Sequence, residues 1–487
     1  MKQSYYLAVI VTVLLFSIGT GCTDPVLDKT SQIDSLMQLY QELGQFNGTV
    51  LVAEKGVVIF KKGYGMANME WEIPNEPDTK MRLGSITKQF TSMMIMQLVE
   101  EGKIDLQAPI TRYLPDYRKE TGDRVTIHHL LTHTSGIPSY TSLPNFFNEV
   151  SRDPYPVDEF IEKFCSGDLE FEPGTEFRYN NSGYFLLGAI IEHVTGKSYE
   201  EALHERVLAR VGMNETGYDH HSTILKKRAT GYERSVDGYL NSPYLDMSLP
   251  YAAGSLYSTV EDLYLWDRAL YAHTLLSEEN SNKMFTPFLA NYAYGWGVGK
   301  LQIGSNGDSL NFVGHSGGIN GFNTLITRLI DDQHLVVLLN NTGGQALDAM
   351  TKGIINILYG EPYELPKKSI GAEMYEKLGE GDLAAAIAHY QELKENSSTE
   401  YDFSETELNW LGYALMEEER MEEAIAIFVL NVKSYPESWN VYDSLGEAYA
   451  NNGQDEEAFK NYKRSLELNP ENTHAIEMIR KLNPSDE

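Results

Sequence analysis

Two stretches of the tail are one pattern shifted by 34 residues. Leu411-Gly412, Ala424, Phe428 and Pro436 recur as Leu445-Gly446, Ala458, Tyr462 and Pro470. A period of that length describes a helix–turn–helix unit stacked on copies of itself. Glycine and alanine let two helices close on each other, the aromatic ring fills the gap, and proline stops the second helix. Such a unit cannot bury its apolar face alone, so the tail can only be an all-helical array. Upstream, "GDLAAAIAHYQELKEN" reads as the second helix of an earlier, degenerate unit with a longer loop. "THAIEMIRKL" reads as a capping helix.

The array leaves most of a 487-residue chain to be explained, which is more than one hydrophobic core accommodates. With 42% hydrophobic and 22% charged residues the composition is globular. The formal charge of −31 argues against nucleic acid and against a basic lipid-binding patch. About −17 of it falls within residues 370–487, a shift that marks a separate C-terminal domain.

The two cysteines are Cys22 and Cys165. Lys2, the apolar run Tyr5–Ile18 and "GTGCTD" read as an export signal, since the run is too short to span a bilayer. The small residues before Cys22 resemble a bacterial lipoprotein cleavage site, with Cys22 as the lipidated residue. Gly19 stands where that pattern usually has leucine, and a plain secretory signal or an uncleaved anchor is the rival. Either way the protein is expected outside the cytoplasm; on the lipoprotein reading it is a periplasmic or outer-membrane lipoprotein of the cell envelope. Cys165 is then a small buried hydrophobe.

Beyond a short polar tether, "SQIDSLMQLYQELGQF" has helical apolar spacing, and "GTVLVAEKGVVIFKKGYGMAN" is a hairpin about Glu54-Lys55-Gly56. Residues Ile86–Glu100 form an apolar-rich helix. Ser258 and Glu261 suggest a capping box for another. A second hairpin turns at Asp331-Asp332, before a helix near Ala346–Leu358. Strands at both ends with helices between them predict an α+β fold: one antiparallel sheet built from both ends of the domain and packed with helices. The expected division is 1–21 signal peptide, 22–30 lipid-anchored tether, 31–365 catalytic domain and 366–487 repeats.

Ser85 is the one serine followed by lysine three positions on, in "MRLGSITKQF". A serine hydroxyl needs a base, and a lysine whose pKa is depressed can be that base. At the start of a helix the two share a face, and the terminus disfavours an ammonium. Taken alone, the same residues read as a helix cap and a solvated lysine. "PGTEFRYNNSGYFLLGAIIE" adds Tyr179 and Asn181, a phenol and an amide suited to proton transfer and to holding a lysine. Tyr-x-Asn recurs at Tyr239-Leu240-Asn241, so context must choose. "VGHSGGINGF" places His315, Gly317 and Gly318 before the last hairpin, where a backbone N–H can help form an oxyanion hole. His129 and His133, four apart, would suit a metal only on one helix face, and no Glu follows His129. No metal or cofactor is expected. Tyr251-Ala252-Ala253-Gly254 is read either as lining or supporting the pocket or as a purely structural loop.

With "TIHHLLTHTSGIPSY" and "AAGSLYSTVEDL", these motifs resemble the serine β-lactamase-like hydrolases over roughly residues 35–360. The branch is that of class C β-lactamases, carboxypeptidase-type penicillin-binding proteins and related esterases. The 34-residue units resemble tetratricopeptide repeats. The resemblance implies an acyl-enzyme on Ser85, with Lys88 and Tyr179 moving the proton, Asn181 assisting, and the N–H groups of Ser85 and Gly318 binding the oxyanion. Which of Lys88 and Tyr179 is the base stays open. His315 stands where the family usually has lysine in Lys-Thr-Gly, which weakens the case for a carboxylate-bearing β-lactam and leans toward esterase or aminopeptidase-like chemistry. The substrate is expected to be a small molecule or peptide, and the repeats suggest a protein or peptide partner or self-association. The alternative is a ligand-binding sensor or scaffold that does not turn over.

Overall fold

The computed structural model describes residues 28–482 except 305–307, 345–346 and 380. The export signal and Cys22 lie outside the described residues. Among those described, no helix is long and apolar enough to cross a membrane.

Six antiparallel strands make the central sheet: β1 (Gly48–Glu54), β2 (Val57–Tyr64), β3 (Gly297–Ile303), β4 (Asp308–Ile319), β5 (Phe322–Leu329) and β6 (His334–Asn340). Their order is β3-β4-β5-β6-β1-β2. The first hairpin therefore pairs with the last strand, with Gly48 opposite Asn340 and Val52 opposite Val336. Both ends of the domain build one sheet, as the apolar runs predict.

The sheet is buried on both faces, so β1 and β6 read as continuous apolar runs rather than alternating ones. Val50, Val52, Val336 and Leu338 pack on one side against α1 (Lys29–Glu42) and α6 (Asp348–Tyr359), through Ile33, Leu36 and Ile354. Leu51, Ala53, Val337 and Leu339 face the larger core on the other side. Through that core runs α2 (Thr87–Glu100), which is buried on all sides from Thr87 to Leu98. Trp266 stacks on its Phe90 at 4.5 Å and donates to Gln89 Oε1 at 3.0 Å. Beside it lie α3 (Asn181–Thr195), α4 (Tyr251–Gly254) and α5 (Val260–Tyr271).

Three local expectations shift. The cap of α5 is Thr259, whose hydroxyl accepts from the Asp262 N–H, one residue later than the Ser258–Glu261 reading; the Ser258 hydroxyl instead bonds Thr216 at 2.7 Å. The last helix of the sheet domain opens at Asp348, and Ala346 is outside the described residues. α1 opens at Lys29, capped by Asp28, within the stretch read as tether.

After Tyr359 the chain becomes helical pairs: Ile370–Gly379 with Leu383–Asn396, Glu405–Glu417 with Met421–Ser434, and Trp439–Asn451 with Asp455–Leu468, ending on Thr473–Leu482. The period has a steric cause. A Cβ on Gly412 would lie 2.5 Å from the Phe428 ring, and one on Gly446 3.0 Å from Tyr462. The hairpin of Tyr232–Ser235 and Gly238–Asn241 joins the two parts: Val236 at its tip is 7% exposed within the repeat core, and the Arg234 guanidinium lies 4.8 Å from the centre of Trp410.

Candidate active site

Ser85 sits in a single 3-10 turn, Gly84–Ile86, that leads into α2. It is not the cap of that helix: neither Leu83 nor Ile86, which precede the two helical segments, makes a side-chain cap bond. Gly84 has φ +53°, and a Cβ there would stand 2.9 Å from the Gly318 carbonyl oxygen. Only glycine lets the turn meet β4 that closely. Gly317 is tighter, since a Cβ would lie 2.0 Å from Leu83 O and 2.4 Å from Thr324 Oγ1. The Thr324 hydroxyl donates to Leu83 O at 2.8 Å and ties the sheet to the serine turn. Gly318 is open: a Cβ there would come no closer than 3.7 Å to its neighbour Asn323 Nδ2.

Lys88 is fully buried. Its Nζ lies 3.0 Å from Ser85 Oγ, 2.8 Å from Asn181 Oδ1 and 2.9 Å from Ala253 O. The last two can only accept. A neutral amine has two N–H groups to give them and one lone pair left for the Ser85 O–H. Burial holds its pKa well below the usual lysine range. Desolvation is the cause of that shift.

Asn181 opens α3 and is oriented at both ends, as its Nδ2 donates to Thr141 Oγ1 at 3.1 Å. Asn180 instead caps the helix by accepting from the Gly183 N–H. The Tyr179 ring centre is 4.9 Å from Lys88 Nζ and 4.2 Å from the His133 ring. Burial pushes the Tyr179 phenol up, and a hydrogen bond with Ser85 draws it partly back. Tyr179 is 38% exposed, and its hydroxyl is hydrogen-bonded to Ser85. Tyr239 and Asn241 lie on the hairpin that reaches the repeats, where Tyr239 Oη donates to Gly44 O.

His315 on β4 donates from Nδ1 to Ser316 O at 2.5 Å, so in the neutral ring Nε2 accepts from the Tyr292 hydroxyl at 2.8 Å. Burial, then the nearby Lys88, lower its pKa to about 4, partly offset by the Ser316 carbonyl. Near neutral pH it is an uncharged ring at the position where the lysine of a Lys-Thr-Gly motif is the usual expectation. β3 pairs with β4 only as far as Gly314, so His315–Ile319 has strand pairing on one edge alone, to β5.

Ser85, Asn181 and Gly318 line a cavity of about 300 Å³. Its walls include Tyr140, Phe146, Phe147, Leu245, Leu249 and Ile319, and no Asp, Glu, Lys, Arg or His lines it. Phe147 is 54% exposed at its mouth.

The histidines of the metal alternative are otherwise engaged. Their helix ends at Leu131, and His133 follows with φ +57°. His129 Nδ1 accepts from the Thr126 N–H. His133 turns inward, and its Nδ1 accepts from the Asn180 N–H at 3.0 Å, fixing the turn that presents Tyr179 and Asn181. Cys165 is buried and unpaired, and burial pushes its thiol up to about 12. Residues 251–254 do support the site, through the Ala253 carbonyl. Tyr292, Thr141 and that carbonyl had no sequence signal as parts of it: two are isolated polar side chains, and the third is backbone.

The sequence model described as Beta-lactamase matches residues 33–358, and the tetratricopeptide repeat model matches residues 439–472. A penicillin-binding protein of Bacillus subtilis (strain 168) is 29% identical over 393 residues, 72% of this chain and 82% of its own. Among solved structures, the octameric penicillin-binding protein homologue from Pyrococcus abyssi is 30% identical, with TM-score 0.59 over 69% of this chain and 78% of that one. The D-amino acid amidase from Ochrobactrum anthropi SV3, complexed with D-phenylalanine, is 25% identical, with TM-score 0.59 over 68% and 99%. This chain belongs to the beta-lactamase family and carries tetratricopeptide repeats behind its hydrolase fold.

Proposed function

We propose that this chain is a serine hydrolase that takes an acyl group from an ester or amide onto Ser85 and passes it to water. The arrangement at Lys88 carries the reading. A buried neutral amine, with both N–H groups held by Asn181 and Ala253, has its lone pair directed at Ser85 Oγ. The Ser85 hydroxyl loses its proton to Lys88 as Oγ bonds to the substrate carbonyl carbon. The N–H groups of Ser85 and Gly318 hold the resulting oxyanion. The proton then passes to the leaving group as its bond to the carbonyl breaks, with Tyr179 as relay. A phenol whose pKa is raised serves as a proton carrier better than as a standing phenolate base. Water repeats the cycle to release the acid.

The uncharged cavity and neutral His315 favour a neutral, apolar acyl group over a carboxylate-bearing one. The test compares p-nitrophenyl phenylacetate with the p-nitrophenyl monoester of succinic acid, on wild type and Ser85→Ala. The neutral ester is expected to lead by at least about tenfold in kcat/KM. Equal rates would refute the acyl preference, and an active Ser85→Ala would refute the mechanism.

Export and lipid attachment at Cys22 are part of the proposal, supported by the apolar run Tyr5–Ile18 and the small residues after it. On this reading the enzyme belongs to the cell envelope. Cys22→Ser should abolish lipid incorporation; unchanged membrane fractionation would count against the anchor. The repeats would bring a protein or peptide partner, or a second copy, to the enzyme.

A further inference from the structure

Across α4 from Lys88 lies a second cavity, of about 410 Å³, that the proposed hydrolysis does not use. The rings of Tyr155, Tyr199, Tyr218 and Tyr251 line it. Tyr199 stands at the centre of three of them, 5.2 Å from Tyr251 and 6.3 Å from Tyr218. The carboxylates of Glu192, Glu200 and Asp246 also line the cavity, and no lysine or arginine does.

These carboxylates are short of counter-charge. Glu192 accepts from the Tyr199 N–H, Asp246 from the Ser248 N–H, and Glu200 is paired with His220 at 2.9 Å. Among the described residues, none of the three forms an ion pair with a lysine or arginine. An independent feature points the same way. Tyr251 is 5% exposed, and its buried hydroxyl, beside the Glu192 carboxylate, accepts no hydrogen bond from any described group. A phenol oxygen left so can accept from a ligand N–H or O–H.

We propose that this cavity binds a small organic ammonium ion. Aromatic faces attract a diffuse cation, and the three carboxylates supply the charge it needs. A metal ion fits less well: among the described residues, no three His, Cys, Asp or Glu side chains converge as ligands. An organic cation needs no such inner shell. The volume suits a ligand of small-molecule size.

The test uses the full chain at pH 8 and titration calorimetry. The probe is choline, and 3,3-dimethylbutan-1-ol is its uncharged counterpart of the same shape. Choline is expected to saturate one site and to bind at least about tenfold more tightly than the alcohol. Glu192→Gln with Glu200→Gln should weaken choline by about tenfold or more, with p-nitrophenyl ester hydrolysis unchanged. Should the double variant fold poorly, Glu200→Gln alone decides, since that exposed side chain bonds only His220 here. Choline and the alcohol binding alike, no saturable choline binding, or variants that bind choline as wild type does would each overturn the proposal.

Discussion

Lys88 is the residue on which most consequences turn. Its pKa is lowered by burial, so it is neutral in the folded protein over a range where an unfolded lysine is charged. Two predictions follow from that sign. The first concerns activity: kcat/KM should fall on the acid side with a single ionisation set below the ordinary lysine range, and Lys88→Met should lose at least about 10³-fold at every pH. A pH–rate profile on a neutral ester checks both. The second concerns stability. Between the folded and unfolded pKa values the unfolded chain binds the extra proton, so stability should rise with pH. Denaturant melts of wild type and Lys88→Met should show the wild type gaining on the variant as pH is raised from 7 toward 10. A difference independent of pH would mean that Lys88 is charged in the folded state. His315 adds no charge requirement of its own near neutral pH, because its lowered pKa keeps the ring uncharged well below pH 7.

At the scale of elements, the site is the place where the turn before α2 meets β4, and three glycines there are not equivalent. At Gly317 a methyl would collide with Leu83 O and Thr324 Oγ1; at Gly84 it would collide with Gly318 in a backbone at positive φ. Gly318 has room for one. Gly317→Ala should therefore lower kcat/KM by about 10²-fold or more, by shifting the serine turn against the strand. Gly318→Ala should stay within a few-fold of wild type. Kinetics with matched thermal melts separate the two, and equal losses would show that the turn adapts. The same reasoning applies within the array, where Gly412→Ala would force a methyl against Phe428 and cost about 1–3 kcal/mol in a denaturant melt.

On the scale of the molecule, the hairpin 232–241 is a structural link between the sheet domain and the repeats. Its tip residue Val236 is buried among repeat side chains. At its other end Glu233 Oε1 accepts from the Gly321 N–H, and Asn320 donates to Pro243 O at 2.9 Å, beside the cavity wall formed by Ile319 and Leu245. Val236→Asp would put an unpaired carboxylate into that core. It should separate one calorimetric unfolding transition into two, with the repeats melting first. An unchanged single transition would mean that the hairpin carries no cooperativity between the parts.

Some of this was legible in the residues alone. The 34-residue offset requires helical pairs because glycine and aromatic positions must face each other, as Gly412 faces Phe428 and Gly446 faces Tyr462. The apolar runs at Val50–Ala53 and Leu335–Leu339 require strands buried on both sides. Local patterning carries such information because periodicity reflects which face is covered. The spacing Ser85-x-x-Lys88 and the order of the later motifs nominated the site residues, but not their state. That lysine has a lowered pKa because it is wholly enclosed, and its partners include a backbone carbonyl at Ala253, some 165 residues away. The neutral His315 depends on Tyr292 and Ser316, and the uncharged cavity on loops that meet only after folding. Burial and carbonyl direction are properties of the packed chain rather than of any residue type, and so tertiary structure alone decided them.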